Sequence, residues 1–190
     1  MNPNTPKKRS FGSGSGLLTR IAVLGGGLVV LVILIAIVIS VLGPKSSVPA
    51  LTAIAERQQE IIRIATAAKN QTTGQDTANL VATVSASVSS SQQQVVTYLA
   101  TRGTKLSPKV LVLDKNPQTD TLLTSAANAN NYDTAVAQVL AQQLITYEGL
   151  LQTTFKQTSS TSTKQLLQDC YTSTNKLLQQ AKSLPANSNS

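Results

Sequence analysis

The stretch LTAIAERQQEIIRIATAAK, residues 51–69, carries a clear helical pattern. Its apolar residues recur at intervals of three and four, which is the period of one face of an α-helix. The resulting stripe consists of Leu51, Ile54, Ala55, Gln58, Ile61, Ile62 and Ala65. Because one helix cannot bury such a stripe by itself, the segment predicts packing against further helices.

The same period continues to residue 184, and no stretch keeps the alternation of a strand for long. Glycine, proline and polar runs separate the periodic segments. The predicted helices are Pro49–Lys69, Asp76–Thr101, Pro117–Asn128, Tyr132–Lys156 and Ser162–Leu184. Four long helices and one short extra helix predict an all-α fold, an antiparallel four-helix bundle over residues 50–184 followed by a disordered tail at 185–190.

The segment before the bundle has a different pattern. Residues 21–42 form an uncharged run dominated by Val, Ile and Leu. A helix of this length extends about 33 Å, which is enough to cross a hydrocarbon core of about 30 Å. A cleaved signal peptide is the alternative, but its apolar region is shorter and ends at a cleavage site of small residues. We therefore expect a transmembrane helix at 21–42, anchored in the lipid bilayer and followed by a linker at 43–49.

The charges flanking this run predict its orientation. Residues 1–20 form a basic tail of disordered composition that contains Lys7, Lys8, Arg9 and Arg20 and no acidic residue. On the other side only Lys45 lies close. Because basic flanks stay in the cytoplasm, we expect a single-pass protein of the cell membrane with a cytoplasmic N-terminus and an extracytoplasmic C-terminal domain.

Composition excludes several classes of function. The chain has no histidine, so arrangements such as Ser-His-Asp and Cys-His are excluded. A mechanism based on lysine or carboxylate stays open, but no residue is selected for it. Basic residues form no stripe interleaved with aromatic ones, so we expect no nucleic-acid partner. Cys170, the one cysteine, lies on an apolar stripe and is expected to be a small buried side chain. We expect no enzyme, no catalytic residue and no cofactor.

Glu56 and Glu60 are four residues apart on the first helix, as in a metal site of a helical bundle. A carboxylate-bridged site of two metals needs inward glutamates from four helices, two of them followed by histidine. The chain has only one further glutamate, Glu148, which lies to one side of its helix's stripe. The helical register turns Glu56 and Glu60 away from the stripe, toward water and beside Arg57 and Arg63. We therefore expect no metal ligand.

Three amides do fall on or near the predicted core stripes, namely Gln58, Gln92 and Gln143. Buried amides need hydrogen-bond partners. The pattern is compatible with a small polar cluster in the centre of the bundle, but it favours the alternative, boundary positions that partly reach water.

Four segments in order resemble a known family. They are LTAIAERQQEIIRIATAAK (51–69), VVTYLATRGTKLSP (95–108), NNYDTAVAQVLAQQLITYEGLLQTTF (130–155) and LLQDCYTSTNKLLQQAKSL (166–184). Over residues 50–184 the chain resembles the ferritin-like helical domain of unknown function that occurs in many bacterial secreted and envelope proteins. Members of that family often carry histidines at places similar to 88–91 and 142–144, where this chain has none. The resemblance therefore implies the ferritin-like fold and no site residue.

These observations lead to three functional hypotheses. The first is a membrane-anchored, non-enzymatic interaction module of the cell envelope or surface, with an envelope protein or a small ligand as its partner. The second is a metal-binding oxidase or storage protein of the ferritin type. The third is a sensor ectodomain that works with a partner protein.

Overall fold

The periodic segments of the sequence are helices in the computed structural model, which describes residues 47–184. Helices account for 82% of this part, which contains no strand, so the all-α class is confirmed. The helices are α1 Val48–Ala68, α2 Gln75–Thr101, α3 Pro108–Leu111, α4 Pro117–Asn128, α5 Tyr132–Gln157 and α6 Thr161–Ser183. All of them belong to one unit of the chain, Pro44–Ser190.

Several predictions concern residues that lie outside the described part. These are the basic tail with Lys7, Lys8, Arg9 and Arg20, the transmembrane helix at 21–42, most of the linker and the tail at 185–190. Between residues 47 and 184, none of the helices has both the length and the apolar composition needed to span a bilayer.

Every predicted helix is present within one residue of its expected ends. The expectation of one short extra helix is wrong, because α3 is a second one inside the segment assigned to an irregular connector. Pro108 stands in its first turn, where the fixed φ of proline suits a helix start. The adjoining Leu106 and Leu111 pack against the core, which stabilises this single turn.

Hydrogen bonds between helices define the arrangement of the four long ones. Gln92 of α2 bonds to the carbonyl of Ala55 in α1, and Ser87 of α2 bonds to Ser173 of α6. The remaining neighbours are linked by Gln152–Tyr171 between α5 and α6 and by Gln58–Tyr147 between α1 and α5. Each long helix thus packs between two others, and each such pair is antiparallel.

α2 and α5 therefore run in the same direction, and the segment that joins them must return along the whole length of the bundle. This crossover, residues 102–131, contains α3 and α4 and packs against α1 and α5. It begins at Gly103, whose φ of +80° ends α2 in a left-handed residue. Thr104 closes the turn by donating its N–H to the Leu99 carbonyl at 2.9 Å.

The core is aliphatic with one aromatic side chain, Tyr147, among its largest members. The stripe predicted for α1 is right except at Ile62, which is only partly buried. Conversely, Glu60 and Ile64 are buried although they lie off that stripe. For Glu60 the reason is the crossover, which covers a second side of α1 that a simple four-helix bundle leaves to water.

Candidate functional site

A buried polar cluster occupies the interior between the four long helices. It consists of Gln58 from α1, Ser91 from α2, Tyr147 from α5, and Cys170 and Thr174 from α6. The amide nitrogen of Gln58 donates to the Tyr147 hydroxyl at 2.6 Å. That hydroxyl also interacts with the Cys170 thiol and the Thr174 hydroxyl, and the thiol interacts with Ser91. We call these five residues the core cluster.

The core cluster is uncharged. Burial raises the pKa of Tyr147 well above its usual value, and contact with Cys170 raises it further. Burial likewise raises the pKa of the Cys170 thiol. Both groups therefore keep their protons at neutral pH, so Cys170 is no ready nucleophile, because the thiolate is the reactive form.

Within residues 47–184, one atom of the core cluster has no hydrogen-bond partner. It is the amide oxygen of Gln58, which accepts no bond while burial also shields the side chain from water. An unsatisfied buried acceptor costs about 1 to 3 kcal/mol. Neutral amide, hydroxyl and thiol groups are weak ligands for a divalent cation. In the range 47–184, no group of three or more His, Cys, Asp or Glu residues is placed to bind a metal ion.

The three amides singled out from the sequence are not bonded to one another. Gln58 lies in the core cluster. Gln92 is partly buried and donates to the Ala55 carbonyl at 3.0 Å and to Gln59 at 3.1 Å. Gln143 is partly buried on another side of the bundle, where it accepts a bond from Arg57 at 2.7 Å. Gln58 thus belongs to a central polar cluster, whereas Gln92 and Gln143 occupy boundary positions.

The expectation that Glu60 faces water is wrong. Its side chain is 1% exposed and accepts two bonds from Arg63, at 2.7 and 2.8 Å. The backbone N–H of Asn116, which precedes α4, donates a third bond at 3.1 Å. Arg63 also binds Asp120 of α4 at 2.6 Å. The crossover covers this carboxylate, and helical register alone could not reveal that. The predicted pairing with Arg63 is confirmed.

Arg57 does not pair with Glu60. It lies 2.9 Å from Asp114, at the end of the α3 segment, and donates to Gln143 of α5 at 2.7 Å. Hydrogen bonding to Glu60 raises the pKa of Arg63 above its ordinary value, so Arg63 holds the crossover as a permanent cation. The two arginines and their partners form a charged network that fixes the crossover to α1.

The other two glutamates, Glu56 and Glu148, contribute little to the core cluster or to the charged network. Glu56 is partly exposed, and burial followed by repulsion from Asp114 raises its pKa. Glu148 is also partly exposed and accepts a long bond of 3.4 Å from Asn175. Neither carboxylate lies among the residues of the core cluster, in agreement with the register argument.

The sequence marks only part of these groups. The inward positions of Gln58, Tyr147 and Cys170 follow from their stripes, but their mutual bonds do not. Ser91 and Thr174 carry no signal, because hydroxyl residues are abundant on every face of these helices. The partners of Arg57 and Arg63 are 57 or more residues away along the chain, apart from Glu60.

Exposed apolar residues concentrate on the side of the bundle that carries the crossover. Within residues 47–184 the large ones are Val112, Leu113, Leu122 and Ile145, with Leu113 71% exposed. An open groove between α4 and α5 is lined by Leu122, Val139 and Gln142 among others. Of the exposed apolar residues, Val112, Leu113 and Leu122 lie in the crossover itself. Arg57 joins Asp114 of the crossover to Gln143 of the groove, so these three side chains and the groove share the side that carries the crossover. We call it the crossover face.

The chain matches no protein-family model, no curated protein and no solved structure.

Proposed function

We propose that this chain is a single-pass membrane protein whose extracytoplasmic, ferritin-like bundle is a non-enzymatic interaction module of the cell envelope or surface. The anchor is the 22-residue uncharged run at 21–42, and the basic residues before it favour a cytoplasmic N-terminus. The observation that carries the interaction role is the crossover face. The fold, the charges and this face support three separate parts of the proposal, which can be tested separately.

The ferritin-like part of the proposal is supported by the connection between the long helices. Ferritin-like bundles have one long crossover among otherwise short connections. Here residues 102–131 make one long connection, while residues 69–74 and 158–160 make short ones. The order and spacing of the four segments quoted above also resemble those of the ferritin-like family.

The interaction role is supported by the exposure of aliphatic side chains on the crossover face. Leu113 and Val112 are 71% and 53% exposed at the end of α3, and Leu122 is 50% exposed on α4. Isolated exposed apolar residues are ordinary, but several on one side favour a docking surface. The polar side chains nearby, including Gln142 of the groove, supply the mixed lining that interfaces have.

A metal-dependent function finds less support in the side chains themselves. Glu60 is the buried carboxylate of α1, and Arg63 and a backbone N–H already occupy its oxygens. Metal binding there would require Arg63 to leave a carboxylate that it holds through two bonds. Stoichiometric iron or manganese in the purified full-length protein would nevertheless establish the ferritin-type alternative.

Topology is testable with single cysteines, because native Cys170 is 1% exposed and gives little background. We suggest Gln93→Cys on the outer side of α2, and as a cytoplasmic control Ser10→Cys in the basic tail. A membrane-impermeant maleimide should label Gln93→Cys in intact cells and Ser10→Cys only after lysis. The reverse pattern would refute the proposed orientation, and labelling of both in intact cells would refute a membrane anchor at 21–42.

The interaction role is testable by photo-cross-linking in cells that express the full-length chain. A photoreactive amino acid at Leu113 samples the crossover face, and the same residue at Ala86 samples an exposed position of α2. We expect a discrete adduct from Leu113 that is absent from Ala86 and that weakens when Leu122 is changed to Ser. Equal adducts at both positions, or none at either, would contradict a docking role for this face.

A further inference from the structure

The two ends of the bundle differ in charge. The inter-helix bonds place the start of α1, the end of α2, the end of α5 and the start of α6 at one end. Residues 47–52, 99–109 and 155–164 make up this end and contain five basic residues and no acidic one. They are Arg102, Lys105, Lys109, Lys156 and Lys164. We call this the basic end.

The opposite end is nearly neutral. It consists of residues 66–79, 126–136 and 176–184. It contains three basic residues, Lys69, Lys176 and Lys182, and two acidic ones, Asp76 and Asp133. Its net charge is therefore +1, against +5 for the basic end. The asymmetry is a property of the folded bundle, because the five residues come from two separate parts of the chain, 102–109 and 156–164.

Lysines of the basic end are available to a ligand. None of the five basic residues forms an ion pair within the part of the chain that the structure describes. Arg102 and Lys164 lie against aromatic rings, those of Tyr98 and Phe155 respectively, which helps to orient them. Lys105, Lys109 and Lys156 are exposed. The basic end thus presents the ammonium groups of these three lysines to a ligand.

The short connection between residue 42 and α1 indicates what the basic end faces. α1 starts at Val48, and the apolar run ends at residue 42, so five residues separate them. Fully extended, this connection spans about 20 Å. If 21–42 crosses a bilayer, as the proposed function states, the start of α1, at the basic end, lies within about 20 Å of the membrane surface. The neutral end begins about 30 Å farther along α1.

We propose that the basic end docks on the membrane that anchors the chain, by binding the headgroups of anionic phospholipids through Lys105, Lys109 and Lys156. Clusters of basic residues close to a membrane bind anionic lipid, with each Lys or Arg contributing about a fivefold gain. Docking orients the bundle with its basic end toward the lipid. The crossover face runs along the bundle between the two ends, so it stays accessible to a partner. This inference rests on the proposed membrane anchor.

The test uses full-length protein in nanodiscs of phosphatidylcholine, with or without phosphatidylglycerol. A donor dye is attached at Gln157→Cys, at the basic end, or at Gln71→Cys, at the neutral end, and the acceptor is a dye on the lipid headgroups. We expect phosphatidylglycerol to increase energy transfer from Gln157→Cys, and salt at about 1 M to abolish the increase, since charges are then screened beyond about 3 Å.

Charge variants decide whether the lysines are responsible. Replacing Lys105, Lys109 and Lys156 together by Gln should lower the ratio of docked to undocked protein by up to about 100-fold. A matched control replaces Lys69, Lys176 and Lys182 of the neutral end by Gln, which changes the net charge equally and should leave the ratio unchanged. Circular dichroism of both variants checks that the helices are retained.

The outcomes separate the two proposals. Failure of the protein to enter the discs, or digestion of residues 21–42 by protease in the discs, would refute the membrane anchor. Stable insertion with the same energy transfer in both lipid compositions would leave the anchor intact and overturn docking. An equal loss in the control variant would also overturn it, because the effect would then follow from total charge and not from the basic end.

Discussion

Replacing Glu60 by Gln separates the buried position in the structure from the exposed one that helical register predicts. The substitution keeps the size of the side chain and removes its charge. Arg63 then loses a carboxylate that it holds at 2.7 and 2.8 Å. The amide nitrogen of the new glutamine cannot replace the lost acceptor, because it is itself a donor and lies against the N–H groups of Arg63. The bond from the Asn116 N–H to this position is weakened as well, because its acceptor is no longer charged.

The size of the effect follows from the burial of the two partners. Removing one member of a buried ion pair costs about 3 to 5 kcal/mol. Arg63 is 25% exposed and keeps Asp120 at 2.6 Å, so water and Asp120 recover part of that cost. We expect the free energy of unfolding to fall by about 2 to 3 kcal/mol. A solvent-exposed pair on one helix would change it by only about 0.2 to 0.5 kcal/mol.

The assay is urea unfolding of the full-length protein in mild detergent, followed by far-ultraviolet circular dichroism. Glu56→Gln is the matched control, because Glu56 lies one helical turn away, is partly exposed and accepts no bond within the described part of the chain. It should change stability by no more than about 0.5 kcal/mol. If Glu60→Gln were as mild as Glu56→Gln, the carboxylate would not be buried against Arg63, and the account of the crossover given above would be refuted.

Three further predictions concern the core cluster and a turn. Tyr147→Phe removes the acceptor of the Gln58 amide and should cost about 1 to 3 kcal/mol, and adding Gln58→Leu should restore part of this, as urea unfolding can show. The folded state raises the pKa of Cys170 and Tyr147, so these groups should not affect stability at neutral pH. Above about pH 9 they ionise in the unfolded state first, and the free energy of unfolding should fall by up to about 1.4 kcal/mol per pH unit for each group. Cys170→Ala should reduce that slope, and an unchanged slope would contradict the shift at Cys170. Gly103→Ala places a side chain at a φ of +80° and should lower the thermal midpoint, with a loss of about 1 kcal/mol, whereas Gly149→Ala in α5 should not.

The helices themselves could be predicted from the sequence, because each one depends on a local pattern. Apolar stripes with a period of 3.6 predicted all five helices of eight or more residues within residues 47–184, and glycine, proline and polar runs predicted the breaks between them. The inward positions of Gln58, Tyr147 and Cys170 follow from the same stripes. The uncharged apolar run at 21–42 that predicts a membrane anchor is equally local, and this prediction still awaits its test.

Only the tertiary structure decided what covers those stripes. A helical register divides a helix into an inner and an outer face, and by that rule Glu60 belongs outside. The crossover, which is 56 residues away at Asn116, buries it against Arg63 instead. The core cluster and the basic end arise in the same way, since each joins residues from several helices. Distances along the chain do not specify which helix faces meet, because long-range packing of whole helices, and not local propensity, selects those contacts.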